Sequence, residues 1–401
     1  MKFFSMPADF KKETIDKYSQ LNRAYASEGS RIIETYGNIT VGNLFESSRP
    51  LATIPGVSLV DLRDYIEYSK QKGIDFNYTL NAINMQNREF SRKGILEIVE
   101  FLGQLYETGI RSLTIAMPTL IEIVQASKYD FKIKASTLCQ VTNTTKAMAY
   151  KRKGVDKVVV DESINKNFHT LKRIRDGFGS NVEIIVNAIC HKNCIYRISH
   201  YNEMAADSIA GNGSNEISLS YYPHRCLMQR YETVSDLLKL TWVRPEDLHY
   251  YTKIGIHHFK LQGRQAVVKG DPIRAVEAYF KESYHGDLIE LLDMFDPTSS
   301  FRVFIDNKKL DGFTKPFFEK ENFCKHDCIH CSYCDNFAKE RIDCKKAGEI
   351  IQLTRGFIDE YDQFREILNS LDSSKNTAAG AEGTGQSDRQ GEQMAADFDI
   401  D

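Results

Sequence analysis

Eight short apolar runs alternating with helical patterns, glycines placed just ahead of several of them, and a length of 401 residues predict an α/β chain folded as a (β/α)8 TIM-type barrel. The strand candidates are Arg31–Tyr36, Phe76–Asn81, Ser112–Met117, Lys132–Ser136, Lys157–Asp161, Val182–Asn187, Glu216–Tyr221 and His257–Leu261. Between them, Ile95, Ile98, Val99, Leu102 and Leu105 recur at the spacing of one helical face, and Gly109 follows as the terminator. Pro245, Glu246 and Asp247 supply the first turn of another helix, which Gly255 closes. Gly73, Gly109, Gly154 and Gly255 each precede a strand, the punctuation of repeated βα units. A doubly wound open sheet shares this alternation; eight strands favour closure.

The organisation read from the chain is a helical lead-in over 1–30, the barrel over 31–295, a small cysteine-rich extension over 296–370 and a tail over 371–401. After the barrel strands, Ile273 to Asp293 reads as helical, and FRVFIDNKKLDGF as a hairpin turning at Asn307. An amphipathic helix is expected around Ile350–Leu368. The tail is rich in Gly, Ser, Ala and Gln and carries too little aliphatic surface to offset chain entropy, so disorder is expected there.

The formal net charge of -3 argues against a broad basic surface for nucleic acid. No apolar run approaches the roughly 20 residues that cross a bilayer. The first residues, MKFFSMPADFKKET, become charged too soon for a secretion signal, so a cytoplasmic location is expected. In that reducing compartment nine cysteines, an odd number, do not read as a disulfide framework. Their clustering points to metal ligation.

In a barrel the residues that follow each strand converge on one rim. That rule gathers Arg49, Asn77, Asn81, Lys260 and Arg264 as substrate-binding candidates, and Glu162, Asn187 and Arg197 as catalytic ones. Lys260 and Arg264 are suited to a carboxylate or phosphate. Cys190 and Cys194 leave the sixth strand candidate, Cys226 leaves the seventh, and Cys139 follows the fourth. Three thiolates, with Cys139 either a fourth ligand or an inert buried thiol, suit a cluster at the mouth. Further on, Cys324, Cys328, Cys331 and Cys334, with Cys344 beyond, form a second compact set. Its first three cysteines have the C-x3-C-x2-C spacing that radical S-adenosylmethionine enzymes carry after their first barrel strand. Here the motif follows the whole barrel and reads as an auxiliary or structural cluster, with zinc the alternative. Spacing leaves open whether Cys334 or Cys344 completes it.

Several segments together resemble the U32 peptidase family, the collagenase-like group that also contains oxygen-independent hydroxylases. They are Lys134-Ala-Ser-Thr137 with Val141-Thr-Asn143, Gly154 to Glu162, Glu183 with Cys190, Arg244-Pro-Glu-Asp-Leu248, and Lys260-Leu-Gln-Gly-Arg264. The resemblance runs from about Arg31 to Leu310. Two positions depart from the family pattern: Asn187-Ala188 replaces a His-Gly, and Cys226, preceded by Arg225, stands where a second cysteine pair is usual. The resemblance implies a barrel with one or two iron–sulfur clusters, of the 4Fe-4S type, acting on a small-molecule or peptide substrate with a companion protein or electron donor. Three functions fit these residues: an iron–sulfur redox enzyme that hydroxylates or similarly modifies an organic substrate, a peptidase, and a non-catalytic binding barrel stapled by metal. The chain has no His-Glu-x-x-His motif and no nucleophile elbow to support the second.

Overall fold

The computed structural model describes residues 1–41, 43–44, 55–207, 221–298 and 302–379. Its strands are β1 Lys2–Pro7, β2 Ser30–Gly37, β3 Asp75–Leu80, β4 Ser112–Ile115, β5 Lys132–Ala135, β6 Lys157–Val159, β7 Val182–Ile185 and β8 His258–Lys260. They close a parallel barrel in chain order, with β1 sealed to β8 through the pairs Phe3–His258, Phe4–Phe259 and Ser5–Lys260. This is the expected (β/α)8 architecture, with two differences in which segments build it.

Residues 1–30 are not a helical lead-in. Lys2–Pro7 is β1, and the helix that follows it spans Lys12–Ala24. The segment KFFSMP is as long as β3, and the two open edges of β2 and β8 make it a strand. The other difference concerns Glu216–Tyr221. Residues 216–220 lie outside the described residues, Tyr221 opens the helix Tyr221–Arg230, and β7 pairs directly with β8 through Glu183–His258. No strand stands between them.

Side chains alternate between the lumen and the helical shell, as strand periodicity requires. On the shell side, Phe4 packs on Phe259 and Phe280, and Phe76 on Tyr65, all buried. The lumen side carries Ser5, Glu34, Asn77, Thr114, Lys134, Glu183, His258 and Lys260, joined by polar contacts across the barrel. Barrel interiors are ordinarily filled by branched aliphatic residues. Here only a small apolar group, Val159, Ile185 and Ala188, stands apart from the main core.

Beyond β8 the expected helix over 273–293 is two helices, Pro272–Phe280 and Leu288–Leu292. The expected hairpin is absent among the described residues: Asn307–Leu310 is a single 3-10 turn. Its polar groups are drawn elsewhere, because Arg244 Nη1 donates to the Asn307 carbonyl at 2.7 Å and the Asn307 amide bonds Glu246. Helices Tyr333–Arg341, Cys344–Glu360 and Gln363–Ala379 then fold back over the segments that follow β7. Arg225–Asp362 at 2.6 Å and a Ser235–Asp335 hydrogen bond tie them there. Of the expected tail, residues 371–379 belong to the last helix, and 380–401 lie outside the described residues. Among the described residues no helix is long and apolar enough to cross a membrane.

If β1 closes the barrel, Phe4→Ala should destabilise the whole fold by about 3–5 kcal/mol, read by denaturant unfolding. A loss under about 1 kcal/mol would place the strand outside the cooperative unit.

Candidate functional site at the barrel mouth

The lumen is organised around Lys134 on β5. Its ammonium bonds Glu34 from across the barrel and both oxygens of Glu183, at 3.2 and 3.1 Å. All three side chains are buried. Burial alone would push both carboxyls up, but Lys134, with Lys157 3.7 Å from Glu183, holds them below the ordinary glutamate value. His258, buried beside Lys157, is pushed down to about 4 and stays neutral. Towards the mouth, Lys260 lies over the Tyr36 ring at 3.7 Å, and burial with Lys134 nearby lowers it to about 7. Together with Thr79, Asn81, Ser136, Gln262 and Arg264 it lines a cavity of about 50 Å³.

The loop after β7 carries the first thiol pair, and Asn187 fixes where that loop starts. Its amide donates to the carbonyls of Gln262 and Leu292 at 2.8 and 3.0 Å, while its oxygen accepts from the Gln262 N–H at 2.7 Å. Asn187, a catalytic candidate from sequence, is therefore a positioning residue. Thr241 bonds the carbonyls of Ala188 and Cys190 and pins the next turn. Burial pushes the Cys190 thiol up to about 12, and the nearby Glu162 and Cys226 add to it. Cys194 is also raised, by burial and by Cys226. Three thiols from two segments thus share one neighbourhood.

Two arginines stand in the same place. Arg230 Nη2 lies 3.7 Å from Cys226 Sγ. Arg197 bonds Asp161 at 2.7 Å, and its Nη2 sits 2.7 Å from Glu162 Oε2 without hydrogen-bond alignment. Glu162 also takes a hydrogen bond from the Thr137 hydroxyl, yet its buried Oε1 has no hydrogen-bond partner among the described residues, nor have Nε of Arg197 and of Arg230. Glu162 and Arg197, both catalytic candidates, are therefore an ion pair set against the thiols.

The remaining candidates separate. Cys139 is buried and donates to the carbonyls of Ile115 and Ala116, away from the other thiols. Asn77 does not reach the mouth: it is locked inside the lumen by Ser112 and Thr114. Arg49 lies outside the described residues. Cys324, Cys328 and Cys334 line a 250 Å³ cavity with Glu162, His191, Lys166 and Lys192. There Lys192 Nζ is 3.5 Å from Cys324 Sγ and Asn193 bonds His326 at 3.0 Å. Cys331 is exposed, and Cys344 heads a helix and donates to the Ala338 carbonyl. The segment from Cys190 to Cys194 thus separates two thiol sets. Among the described residues, no three His, Cys, Asp or Glu side chains are gathered closely enough to hold a metal ion as they stand.

Sequence patterns do not reveal the lumen network. Its one signal is a charge at a lumen-facing position inside an apolar run, Lys134 in KIKAS and Glu183 in VEIIV. Because the folded carboxyls titrate below 4.5, their contribution to stability is complete above that pH and is lost as pH falls through the lowered values. Lys134→Met should cost about 3–5 kcal/mol by leaving two buried carboxylates uncompensated. That deficit should be largest near neutral pH and shrink as pH falls, because without Lys134 burial raises the folded carboxyls and protonation relieves them. A deficit that is the same at pH 4 and pH 7, read by denaturant unfolding, would show that the network contributes nothing.

The family model described as Peptidase family U32 matches residues 53–208. A Methanocaldococcus jannaschii protein described as an uncharacterized protease is 29% identical over 295 residues, 73% of this chain and 85% of that one. A solved U32 peptidase aligns over 66% of this chain and 93% of its own with 16% identity and a TM-score of 0.46. The family model falls on β3 to β7 and the relative extends the similarity over most of the chain, so the protein is similar to peptidase family U32 across the greater part of its barrel.

Proposed function

We propose that the protein is an iron–sulfur redox enzyme whose cluster is held at the barrel mouth by Cys190, Cys194 and Cys226. The observation that carries this reading is that these three thiols lie near enough to act on one another, with Arg197 acting on Cys190 and Cys194 and Arg230 3.7 Å from Cys226, although the ligands must draw closer to close on a metal. The donor set fits: a cluster bound by several thiolates is anionic, and buried arginine N–H groups without partners are what such a charge requires. A bound cluster would supply one-electron chemistry and an iron able to meet substrate. With Cys139 turned away, the remaining position falls to substrate or to Glu162, whose Oε1 has no hydrogen-bond partner among the described residues.

This chain's own residues do the rest. Asn187 and Thr241 hold the loop so that Cys190 emerges at a fixed place. Arg197 holds the Asp161 and Glu162 side chains in place, and the neighbouring apolar group of Val159, Ile185 and Ala188 limits water at the lumen's upper end. Oxygen-independent hydroxylation, or a related modification of an organic substrate, is the reaction class the family resemblance implies. A second cluster at Cys324, Cys328 and Cys334 would lie across the Cys190–Cys194 segment and face an electron donor.

The peptidase reading is supported by two descriptions, that of the matching family model as a peptidase family and that of the curated relative as a protease. Against it, the chain has no His-Glu-x-x-His motif and no nucleophile elbow, and a cysteine committed to a cluster is not free to act as a nucleophile. Anaerobic purification with iron and acid-labile sulfide counts tests the proposal on wild type and on a Cys190/Cys194/Cys226 triple-alanine variant. About eight irons falling to about four is expected if both thiol sets carry cubanes. Peptide hydrolysis that is lost in Cys190→Ala but indifferent to iron removal would overturn it, as would zinc without iron.

A further inference from the structure

We propose that the cavity in front of Lys260 is an oxyanion subsite, which receives a carboxylate or phosphate group of the substrate at the barrel mouth. This deepens the function proposed above by naming a substrate class, yet it stands on the lumen alone and does not depend on iron at the thiols.

Buried charge in the lumen does not balance. Three lysines, Lys134, Lys157 and Lys260, share the lumen field of two carboxylates, Glu34 and Glu183. Lys134 holds both carboxylates and Lys157 stands 3.7 Å from one of them. Lys260 makes no ion pair and no hydrogen bond among the described residues. Its nearest partner is the Tyr36 ring, and Tyr36 is fixed by donating its hydroxyl to the Leu261 carbonyl at 2.7 Å. Facing Lys260 from the surrounding strands are Glu34, Lys134 and Glu183, with neutral His258 two residues earlier on its own strand and Arg264 on its own loop. The surplus is positive and it lies at the cavity.

A surplus ammonium that is buried is costly unless an anion arrives. The cavity offers that anion further donors: the hydroxyls of Thr79 and Ser136 line it, and so does Arg264, which is oriented by its 2.7 Å bond to Asn38. Its volume of about 50 Å³ decides what enters. The space is sized for a small terminal group such as a carboxylate or phosphate. The subsite therefore seats the anionic end of a larger molecule whose remainder extends towards the thiols.

Binding should be linked to a proton. With its value lowered to about 7, free Lys260 is partly neutral at physiological pH, and an anion draws it back to the charged form. Affinity is then highest below pH 7 and falls as pH rises. The test is isothermal titration calorimetry of the full-length, anaerobically purified protein with sulfate and with acetate, whose charges stay constant between pH 6 and 8.5. We expect at least one to bind, with affinity falling about tenfold or more across that range and with heats that vary with buffer as a proton is taken up. Stronger binding of sulfate marks a phosphate substrate; stronger binding of acetate marks a carboxylate. Lys260→Gln should lose the binding, and Lys260→Arg should keep it while flattening its pH dependence. No binding of either anion, pH-independent binding to wild type, or wild-type affinity in Lys260→Gln would each overturn the proposal. The wild-type pH dependence decides the matter even if a variant fails to fold, and since calorimetry reads binding, the result is separate from the iron count.

Discussion

Lys134 is the residue on which the interior depends. A barrel lumen is a narrow, poorly hydrated space, and an ion placed there must find its counter-ion inside the protein. By bonding Glu34 and Glu183 at once, a single ammonium links β2, β5 and β7 across the lumen. The carboxylates remain ionised because of it, and the next lysines, Lys157 and Lys260, feel their field. An aliphatic filling would give a comparable core, since buried ion pairs seldom add net stability over well-packed hydrophobic residues. What the charged filling adds is an electrostatic gradient along the barrel axis, balanced in the middle and positive at the mouth.

The mouth itself is assembled by two kinds of constraint. Backbone-directed hydrogen bonds from Asn187, Thr241 and Asn165 fix the segments around β7 with little dependence on charge. Ion pairs then arrange the functional groups on that frame, with Arg197 gripping Asp161 and Glu162 beside the thiols. The departure at Asn187, where the family pattern has histidine, has a physical account: the amide offers a donor and an acceptor to three backbone groups at once. An imidazole presents one nitrogen at each of two fixed angles and could not make the same three bonds.

The C-terminal extension is part of the site. Its helices are joined to the Cys226 helix through Arg225–Asp362 and Arg355, and its thiols share a cavity with Lys166, Lys192 and Glu162. Lys166 is buried against the Trp242 ring and lowered to about 7, first by burial and then by Lys192. Basic side chains thus line the approach to the second thiol set as they do the first. Charge on any metal bound at one set would be felt at the other through a low-dielectric wall.

The sequence by itself determined the fold class, the two thiol sets and most of the rim. Strand–helix alternation and cysteine spacing are local patterns, and local patterns survive in a one-dimensional reading. That is why Cys190, Cys194, Cys226, Lys260 and Arg264 are legible in the chain alone. Only the tertiary structure decided what closes the barrel and which groups meet. KFFSMP is a strand because β2 and β8 leave edges for it, and those edges come from segments far from it and from each other in the chain. Cys139 sits in the right loop but points at backbone carbonyls, and Asn77 has the right periodicity but lies too deep. The surplus charge at Lys260 is equally invisible in the chain, since it follows from Glu34, Lys134 and Glu183 pairing across the lumen from three distant strands. Pairing of that kind is a property of closure, because only a closed barrel brings those strands face to face.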